Sequence, residues 1–223
     1  MLTLHHLEKS RSHRILWLLE LLEVDYQWKE YARDPKTLLA PPELKAIHPL
    51  GKSPVITEDT RVIAESGAII DYLLARYGKG RFQPEAEDVD AWIDFRYWMH
   101  YAEGSLMPFL LMKLVFTQIP KQPMPFFVKP VAKGISSKVL GQLVDPNLTR
   151  QLDFIESQLQ GKKWFLGEQL TAADVQMSFP MQALAARADL SSYPGIAAYV
   201  KRIEEDPAWQ RVVRKAGPLE LPG

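Results

Sequence analysis

Two serine hydroxyls and two arginines lie within residues 10–14, immediately before a segment with the apolar periodicity of a helix. A serine at this position most often caps the free N–H groups of the helix start. The same position places a hydroxyl beside the positive end of the helix dipole, where it can stabilise an anion. Ser10 and Ser12 therefore indicate either simple caps or part of an anion site. We expect Arg14 to pair with a carboxylate inside the same domain.

Two further helix starts carry polar pairs. Glu65 and Ser66 precede a clear helical pattern. Exposed N–H groups at a helix start attract a carboxylate, so Ser66 can hold such a group, although simple N-capping is compatible with this role. Thr171 and Asp174 have the Thr-x-x-Asp spacing of a capping box, in which each side chain satisfies an exposed backbone donor. We expect this last pair to be structural.

The elements that position these residues alternate in type over residues 1–80. Side-chain alternation and apolar runs predict strands at 2–7, 26–31, 54–57 and 61–64. Helical periodicity predicts helices at 12–22 and 66–77, and residues 35–47 predict an irregular segment that ends in a short helix. This order, β-α-β-α-β-β-α, implies a mixed sheet with at least one parallel crossover.

The remainder of the chain has helical periodicity throughout. A stretch rich in proline and charge at 81–88 predicts a linker between a first domain at 1–80 and a second domain at 89–223. Helices are expected at 90–116, 135–159, 171–188, 194–205 and 207–214. Gly104 and Pro108 should bend the first of these, and Asp145-Pro146 should kink or restart the second. The expected class is therefore α+β, with an all-α second domain.

Composition disfavours several kinds of function. The 223 residues carry 27 basic and 27 acidic side chains, so there is no basic surplus that would favour a nucleic-acid partner. Cysteine is absent, which removes disulfides, thiolate metal sites and a cysteine nucleophile. His5 and His6 are adjacent in a strand and point to opposite faces, so no metal site is expected. The most apolar stretch, 106–116, is too short to span a membrane. We expect a cytoplasmic protein with no membrane partner.

A small β-α-β-α-β-β-α domain before an all-helical one resembles the soluble glutathione transferases of the serine type found in bacteria and fungi. Their first domain has the thioredoxin fold. The resemblance covers nearly the whole chain and rests on four features in order: Ser-x-x-x-Arg at 10–14, His-Pro-Leu-Gly-Lys-Ser-Pro-Val-Ile at 48–56, Glu-Ser at 65–66, and Leu-Thr-Ala-Ala-Asp at 170–174. The family carries Asn-Pro-x-Gly-x-Val-Pro-x-Leu in the second feature, so His48 and Ser53 are departures from its pattern.

The resemblance implies that glutathione is the co-substrate and that Ser10, or alternatively Ser12, activates its thiol. A thiol of pKa about 8.5 is only a few per cent ionised at pH 7. Lowering that pKa by about two units requires roughly 2.7 kcal/mol of preferential stabilisation of the thiolate. A serine O–H that donates to sulfur beside a helix N-terminus can contribute to it. No metal is implied.

The resemblance also implies roles for the other motif residues. Pro54 corresponds to a cis-proline, which turns the backbone N–H and C=O of Ser53 towards the cysteinyl part of glutathione. Lys52 and His48 are implied at the glycyl carboxylate, although a solvated lysine and a turn histidine are the ordinary alternatives. Glu65 and Ser66 are implied at the γ-glutamyl end. Arg11 is implied at a substrate carboxylate, or is simply solvated.

The second domain is implied to hold an apolar electrophile. The aromatic and methionine run at 92–112 is first of all helical core, and part of it can line a pocket. His100 and Tyr101 are the polar residues expected nearest that pocket. The implied reaction is attack of sulfur on an electrophilic carbon or on a peroxide oxygen, in a homodimeric enzyme of detoxification. The alternative is a non-catalytic ligand-binding or protein-interaction module of the same fold.

Overall fold

The computed structural model describes residues 1–219, so the last four residues of the predicted second domain lie outside the described part of the chain. Within residues 1–219 there are four strands, β1 (Leu2–Leu7), β2 (Gln27–Tyr31), β3 (Val55–Glu58) and β4 (Arg61–Ala64). The helices are α1 (Ser12–Leu22), α2 (Pro42–Ile47), α3 (Ser66–Leu73), α4 (Val89–Tyr101), α5 (Met107–Gln118), α6 (Lys129–Val139), α7 (Asp145–Leu159), α8 (Ala172–Ala185), α9 (Pro194–Glu205) and α10 (Pro207–Ala216). The predicted α+β class, with a βαβαββα domain before an all-helical region, is confirmed.

The strands form one mixed sheet in the order β2-β1-β3-β4. β1 and β2 run parallel, with Leu4 opposite Trp28, and α1 makes the predicted crossover between them. β3 runs antiparallel to β1, with Ile56 opposite Leu4, and β4 runs antiparallel to β3. Because β1 is central, the residues that follow its last position enter the middle of the molecule.

Helix α1 is buried on almost every side. Trp17, Leu16 and Leu18 are fully buried even though they point in different directions around the helix. The reason is that α1 packs against α3 on the sheet side and against α8 and α10 of the helical region. The polar residues at its N-terminus, Ser12 and Arg14, are therefore buried between the two parts of the chain.

The long helical segments continue through π-helical turns. α4 passes into α5 through such a turn at Ala102–Leu106, which contains Gly104, and Pro108 follows this turn closely. α6 passes into α7 in the same way at Leu140–Val144, with Pro146 in the first turn of α7. The two predicted interruptions therefore coincide with π turns, and the second segment begins earlier than predicted, at Lys129.

The capping box at the start of α8 is present. The Asp174 carboxylate accepts hydrogen bonds from the backbone N–H of Thr171 and of Phe165, each at 2.9 Å, and from the Tyr199 hydroxyl at 3.3 Å. Burial raises the pKa of Asp174 to about 6, while these hydrogen bonds oppose the rise. The pair therefore ties the loop before α8 and helix α9 to one buried carboxyl.

Candidate active site

Two adjoining cavities lie between the sheet and the helices. The large cavity has a volume of about 610 Å³ and the small cavity about 360 Å³. Eight of the predicted site residues line the large cavity: Arg11, His48, Lys52, Ser53, Pro54, Glu65, Ser66 and His100. Ser10 lines the small cavity, and Arg11, Leu50, Lys52 and Ser53 line both. Residues that are distant in sequence therefore meet at one place.

The loop before β3 reaches the large cavity through Ser53 and Pro54. The bond between them is cis, as the resemblance implied. Ser53 Oγ donates to the carbonyl of His5 at 2.9 Å and accepts from the backbone N–H of Leu7 at 3.2 Å. These two bonds fasten the loop to β1 by the Ser53 side chain. This residue stands where the family pattern has valine, so the departure brings an added anchor.

The turn before α3 brings Glu65 and Ser66 to the same cavity, next to the Ser53–Pro54 loop, because Val55 pairs with Ala64. Glu65 has φ of 71°, in the left-handed region that a residue with a Cβ rarely adopts, while its carbonyl already accepts from the N–H of Ile69 at 2.9 Å. Such a conformation costs on the order of 1–3 kcal/mol and is concentrated at ligand sites. Ser66 is buried at the first position of the helix, and the Glu65 side chain is exposed.

A chain of short hydrogen bonds runs from Ser10 into the protein interior. Ser10 Oγ lies 2.7 Å from Ser12 Oγ, and Ser12 Oγ lies 2.6 Å from Nδ1 of His6. The backbone N–H of Ser12 also donates to Ser10 Oγ at 3.3 Å. Ser10 is 6% exposed, whereas Ser12 is fully buried. Ser10 is thus the member of the chain that borders a cavity.

His6 is held as a neutral ring at the buried end of this chain. Its ring stacks on Trp28 with 4.6 Å between centroids and meets the edge of His13 at 5.1 Å. Burial, with a smaller contribution from His13, lowers the pKa of His6 to about 4. Sequence analysis considered His6 only as a metal ligand and missed this contact. The available signal was strand alternation, which separates it from His5.

Two arginines of the first domain share one carboxylate of the helical region. Glu103 Oε1 accepts from Nη1 of Arg14 at 2.7 Å and from Nε of Arg11 at 3.2 Å. Arg14 Nη1 also donates to Oε1 of Gln176 at 3.0 Å. Burial lowers the pKa of Arg14 to about 10, and Glu103 opposes that shift, so the guanidinium stays charged at neutral pH.

The prediction that Arg14 pairs inside its own domain was wrong. Its partner lies in the π turn between α4 and α5, because α1 is buried against the helical region rather than exposed on the first domain. Glu103 and Gln176 both line the large cavity and were missed by sequence analysis. No local pattern marks either of them, since each is one polar residue in a helical stretch.

The two predicted electrophile contacts fall in different places. His100 lines the large cavity near the end of α4. Tyr101 lines neither cavity, because it lies one position further around the same helix. Its hydroxyl donates to Gln151 of α7, and its ring packs near Tyr97 and Phe154. The geometry gives Tyr101 a place in helix packing.

The small cavity has an apolar wall built mainly from α5 and α8. Its apolar lining residues are Leu7, Leu39, Ala40, Leu50, Met107, Leu110, Leu111, Leu114, Phe179 and Ala183. The four from α5 have the spacing i, i+3, i+4, i+7 of one helix face. That spacing was visible in the sequence, but it does not distinguish a cavity wall from ordinary core.

Comparison with known proteins identifies the family. Residues 10–76 match the family model described as glutathione S-transferase, N-terminal domain, and residues 106–207 match that of the C-terminal domain. Glutathione S-transferase 3 of Schizosaccharomyces pombe is 38% identical over 96% of this chain and 88% of its own length. The chain belongs to the glutathione S-transferase family. Glutathione S-transferase 1 of Saccharomyces cerevisiae is 33% identical over 96% of this chain and 95% of its own length.

Solved glutathione transferases share the fold. A glutathione S-transferase from Actinobacillus pleuropneumoniae superposes with a TM-score of 0.79 at 36% identity, over 99% of this chain and 95% of the other. A homologue from Sulfitobacter with bound glutathione superposes with a TM-score of 0.76 at 22% identity, over 98% and 99% of the two chains, which shows the fold alone. The predicted family and the predicted enzyme class, glutathione transferase, are confirmed.

Two kinds of feature were not found among the residues that the structure describes. Among residues 1–219, no helix has both the length and the apolar character needed to cross a bilayer. Within the same residues, no three histidine or acidic side chains gather as a metal site would require.

Proposed function

We propose that the chain binds glutathione in the large cavity and transfers it, as the thiolate, to an apolar electrophile in the small cavity. The observation that carries this proposal is the position of Ser10. It borders the small cavity beside Arg11, Lys52 and Ser53, which are three of the four residues that line both cavities. Sulfur held there would face the electrophile.

The large cavity offers a partner for each part of glutathione. Glu65 can accept from the γ-glutamyl ammonium group, and the start of α3 at Ser66 can hold the adjacent carboxylate. The main chain of Ser53 can pair with the cysteinyl unit, since its side chain is already bound to β1. Lys52 and His48 line the same cavity and would be the partners of the glycyl carboxylate.

Ser10 is the proposed donor to sulfur, and Ser12 is the proposed positioning residue. A neutral His6 protonated on Nδ1 would donate to Ser12 Oγ, and the Ser12 hydroxyl would then donate to Ser10 Oγ. Ser10 would accept this bond and the bond from the Ser12 N–H, so its own proton would be left for the thiolate. Ser12 lines neither cavity, which favours Ser10 over Ser12 as the activating group.

The reaction needs no covalent bond to the protein. The thiol proton leaves to solvent before attack. Sulfur then attacks an electrophilic carbon, displacing a leaving group or adding across a double bond. With a peroxide, sulfur attacks oxygen, the O–O bond breaks to release an alcohol, and a second glutathione converts the sulfenic acid to the disulfide and water. Thiolate formation and proximity would supply much of the acceleration. We propose detoxification of such electrophiles as the physiological role, and the cytoplasm, where glutathione keeps thiols reduced, as the location.

A homodimer is part of the proposal. Val89, Ile93 and Tyr97 form an exposed apolar stripe at i, i+4 and i+8 on α4, and the first two are 66% and 62% exposed. Such a stripe is typical of a covered helix face. Light scattering should give twice the chain mass for the wild type and a smaller mass for Ile93→Asp.

The test combines binding with turnover. Calorimetry would measure glutathione binding, and steady-state assays would follow a chloronitroaromatic and a small peroxide. Ser10→Ala should lower kcat/KM by about 10- to 100-fold, because it loses most of a two-unit shift in thiol pKa. Glutathione affinity should change by less than about threefold, since the remaining contacts persist.

Ser157→Ala is the matched control, because Ser157 Oγ only donates to a carbonyl within α7. Equal rates for the wild type and Ser10→Ala would remove Ser10 from the mechanism. Glutathione binding without any turnover would favour the non-catalytic module, and a failure to bind glutathione would overturn both.

A further inference from the structure

The small cavity combines its apolar wall with an excess of positive charge. Five cationic side chains line it: Lys9, Arg11, Arg33, Lys52 and Arg187. No aspartate or glutamate occurs among its described lining residues.

Lys9 and Arg187 each make a further interaction, and Arg11 and Lys52 have a partner or an assigned role. Arg11 donates to Glu103 at 3.2 Å, which offsets its charge. Lys52 is proposed above for the glycyl carboxylate of glutathione. Arg33 differs from both in how it is held.

The Arg33 guanidinium is fixed by main-chain carbonyls. Nε donates to the carbonyl of Glu8 at 3.0 Å, Nη1 to that of Leu38 at 2.9 Å, and Nη2 to that of Lys9 at 3.3 Å. A guanidinium has five N–H donors, so this arrangement leaves two. The neutral carbonyls orient the group without cancelling its charge.

The acidic side chain of Glu8 lies near Arg33, at its backbone. A carboxylate oxygen of Glu8 accepts from the backbone N–H of Arg33 at 3.0 Å. Burial lowers the pKa of Arg33 and the charge of Glu8 opposes that shift. A guanidinium remains protonated in proteins. Glu8 itself does not line the small cavity. The cavity side of Arg33 is therefore the side on which an anion can pair with it.

We propose that the small cavity selects apolar electrophiles that carry a carboxylate. The apolar body would lie against Met107, Leu110 and Leu111, and the carboxylate would pair with the two remaining N–H groups of Arg33. This inference rests on the proposed function and names its substrate class. A volume of about 360 Å³ fits a ligand of modest size, since small-molecule sites begin near 300 Å³.

A medium-chain enone that ends in a carboxylate is a suitable probe. The thiolate forms a bond to the β-carbon, the C=C π electrons move to the carbonyl oxygen, and water then protonates the α-carbon. The sum is addition of the glutathione S–H across the double bond, with no oxidant or further reactant. The carboxylate takes no part in the bond changes, so its effect reports recognition alone.

The experiment compares this enone with its primary amide, which has the same shape without the charge. The wild type should prefer the carboxylate by about tenfold in kcat/KM, as expected for one charge-assisted hydrogen-bonded pair. Arg33→Met should reduce the preference to about twofold or less, because it keeps the apolar stem and removes the charge. Added salt should also weaken the preference of the wild type.

Arg81→Met is the matched control. Arg81 is likewise held by carbonyls, those of Leu22 and Gly78, but it lines neither cavity. The Arg81→Met variant should prefer the carboxylate to the amide by the same factor as the wild type. Circular dichroism and glutathione affinity would show that Arg33→Met is folded.

A binding assay separates this inference from the proposed function. The saturated carboxylate and its amide would be titrated into the glutathione-loaded protein, where no chemistry is required. Tighter binding of the carboxylate, lost in Arg33→Met, would support the inference even if no enone reacted, in which case the proposed transfer would be at fault. Equal binding or equal turnover of acid and amide by the wild type would overturn the inference and leave the transfer reaction standing.

Discussion

The two cavities are built in different ways. The large cavity is formed largely by loops and element ends of the first domain, and its anchors are a cis-proline loop, a left-handed turn at Glu65 and the start of α3. The small cavity is formed by helix faces and by long cationic side chains from separate segments. Main-chain geometry therefore fixes the first, whereas side-chain identity determines the second. If the acceptor binds in the small cavity, as proposed, a change of acceptor preference should need only side-chain substitutions there.

The Arg14–Glu103 ion pair joins the first domain to the helical region. Glu103→Gln should destabilise the fold by about 3 kcal/mol, because it leaves a fully buried guanidinium without its anion. The value is at the lower end of the usual range since the Glu103 side chain is 35% exposed. Urea unfolding, followed by fluorescence, would measure the loss.

Glu168→Gln is the control for that substitution. Its ion pair with Lys163 spans 2.8 Å, but the side chains are 66% and 61% exposed, so its loss should cost less than about 1 kcal/mol. Equal costs for the two variants would show that the pair between the regions contributes no more than a surface pair.

The buried His6 lies behind Ser12 and Ser10 and gives the stability of the fold a dependence on pH. Its pKa is about 4 in the folded chain and 6.5 in the unfolded chain, so between these values the unfolded chain binds more protons. Stability from His6 is therefore present above pH 6.5 and is lost as the pH falls to 4, by up to about 3 kcal/mol. The His6→Gln variant lacks this pH-dependent contribution to the free energy of unfolding.

The stability gap between wild type and His6→Gln should accordingly narrow as the pH falls from 7 to 4. Urea unfolding at several pH values would measure it. His13, the neighbouring titratable ring, is kept in both proteins. A gap that stays constant across this range would mean that His6 is not held neutral behind Ser12.

Glu65→Ala tests whether a residue of the large cavity affects the binding of glutathione without affecting the binding of the acceptor. The loss of a charged acceptor should weaken glutathione binding by about tenfold or more. The acceptor KM at saturating glutathione should remain unchanged. Calorimetry and steady-state kinetics would check both, with Glu87→Ala as an exposed control in the linker. A change confined to the acceptor KM would contradict the division between the cavities.

Leu111→Ala is the matching test of the small cavity and has the smallest expected effect. Leu111 lines that cavity and is 54% exposed, so it can contact a bound electrophile. Its truncation should raise the acceptor KM by about fivefold, as for about 1 kcal/mol of apolar contact, and leave glutathione binding intact. Leu143→Ala is the control, a leucine that is 47% exposed and lines neither cavity.

The contrast between the cavities also explains which residues were predictable. Pro54, Glu65 and Ser66 belong to contiguous motifs whose function lies in the local backbone, so the sequence indicated them directly. The parallel crossover followed from the alternation of elements, and the interruption of the helix near Gly104, observed as a π turn, followed from its composition. These features depend on short-range geometry.

The remaining features depend on packing across long sequence separations. Glu103 meets Arg14 only because α1 is buried against the helical region. Arg33 reaches the small cavity because its guanidinium is held by carbonyls of Glu8, Lys9 and Leu38. Whether His100 or Tyr101 faces the large cavity depends on the orientation of α4 about its own axis, which the sequence does not specify. No periodicity encodes contacts of this kind.

The pKa of the glutathione thiol in the bound state tests the central claim most directly. It would be measured from the ultraviolet absorbance of the thiolate in the complex as the pH is raised. In the wild type, the pKa of the bound thiol should be about two units below that of the free thiol. In Ser10→Ala, the pKa of the bound thiol should be higher than in the wild type by at least about one unit. The same low pKa in both proteins would contradict the assignment of Ser10 as the group that stabilises the thiolate.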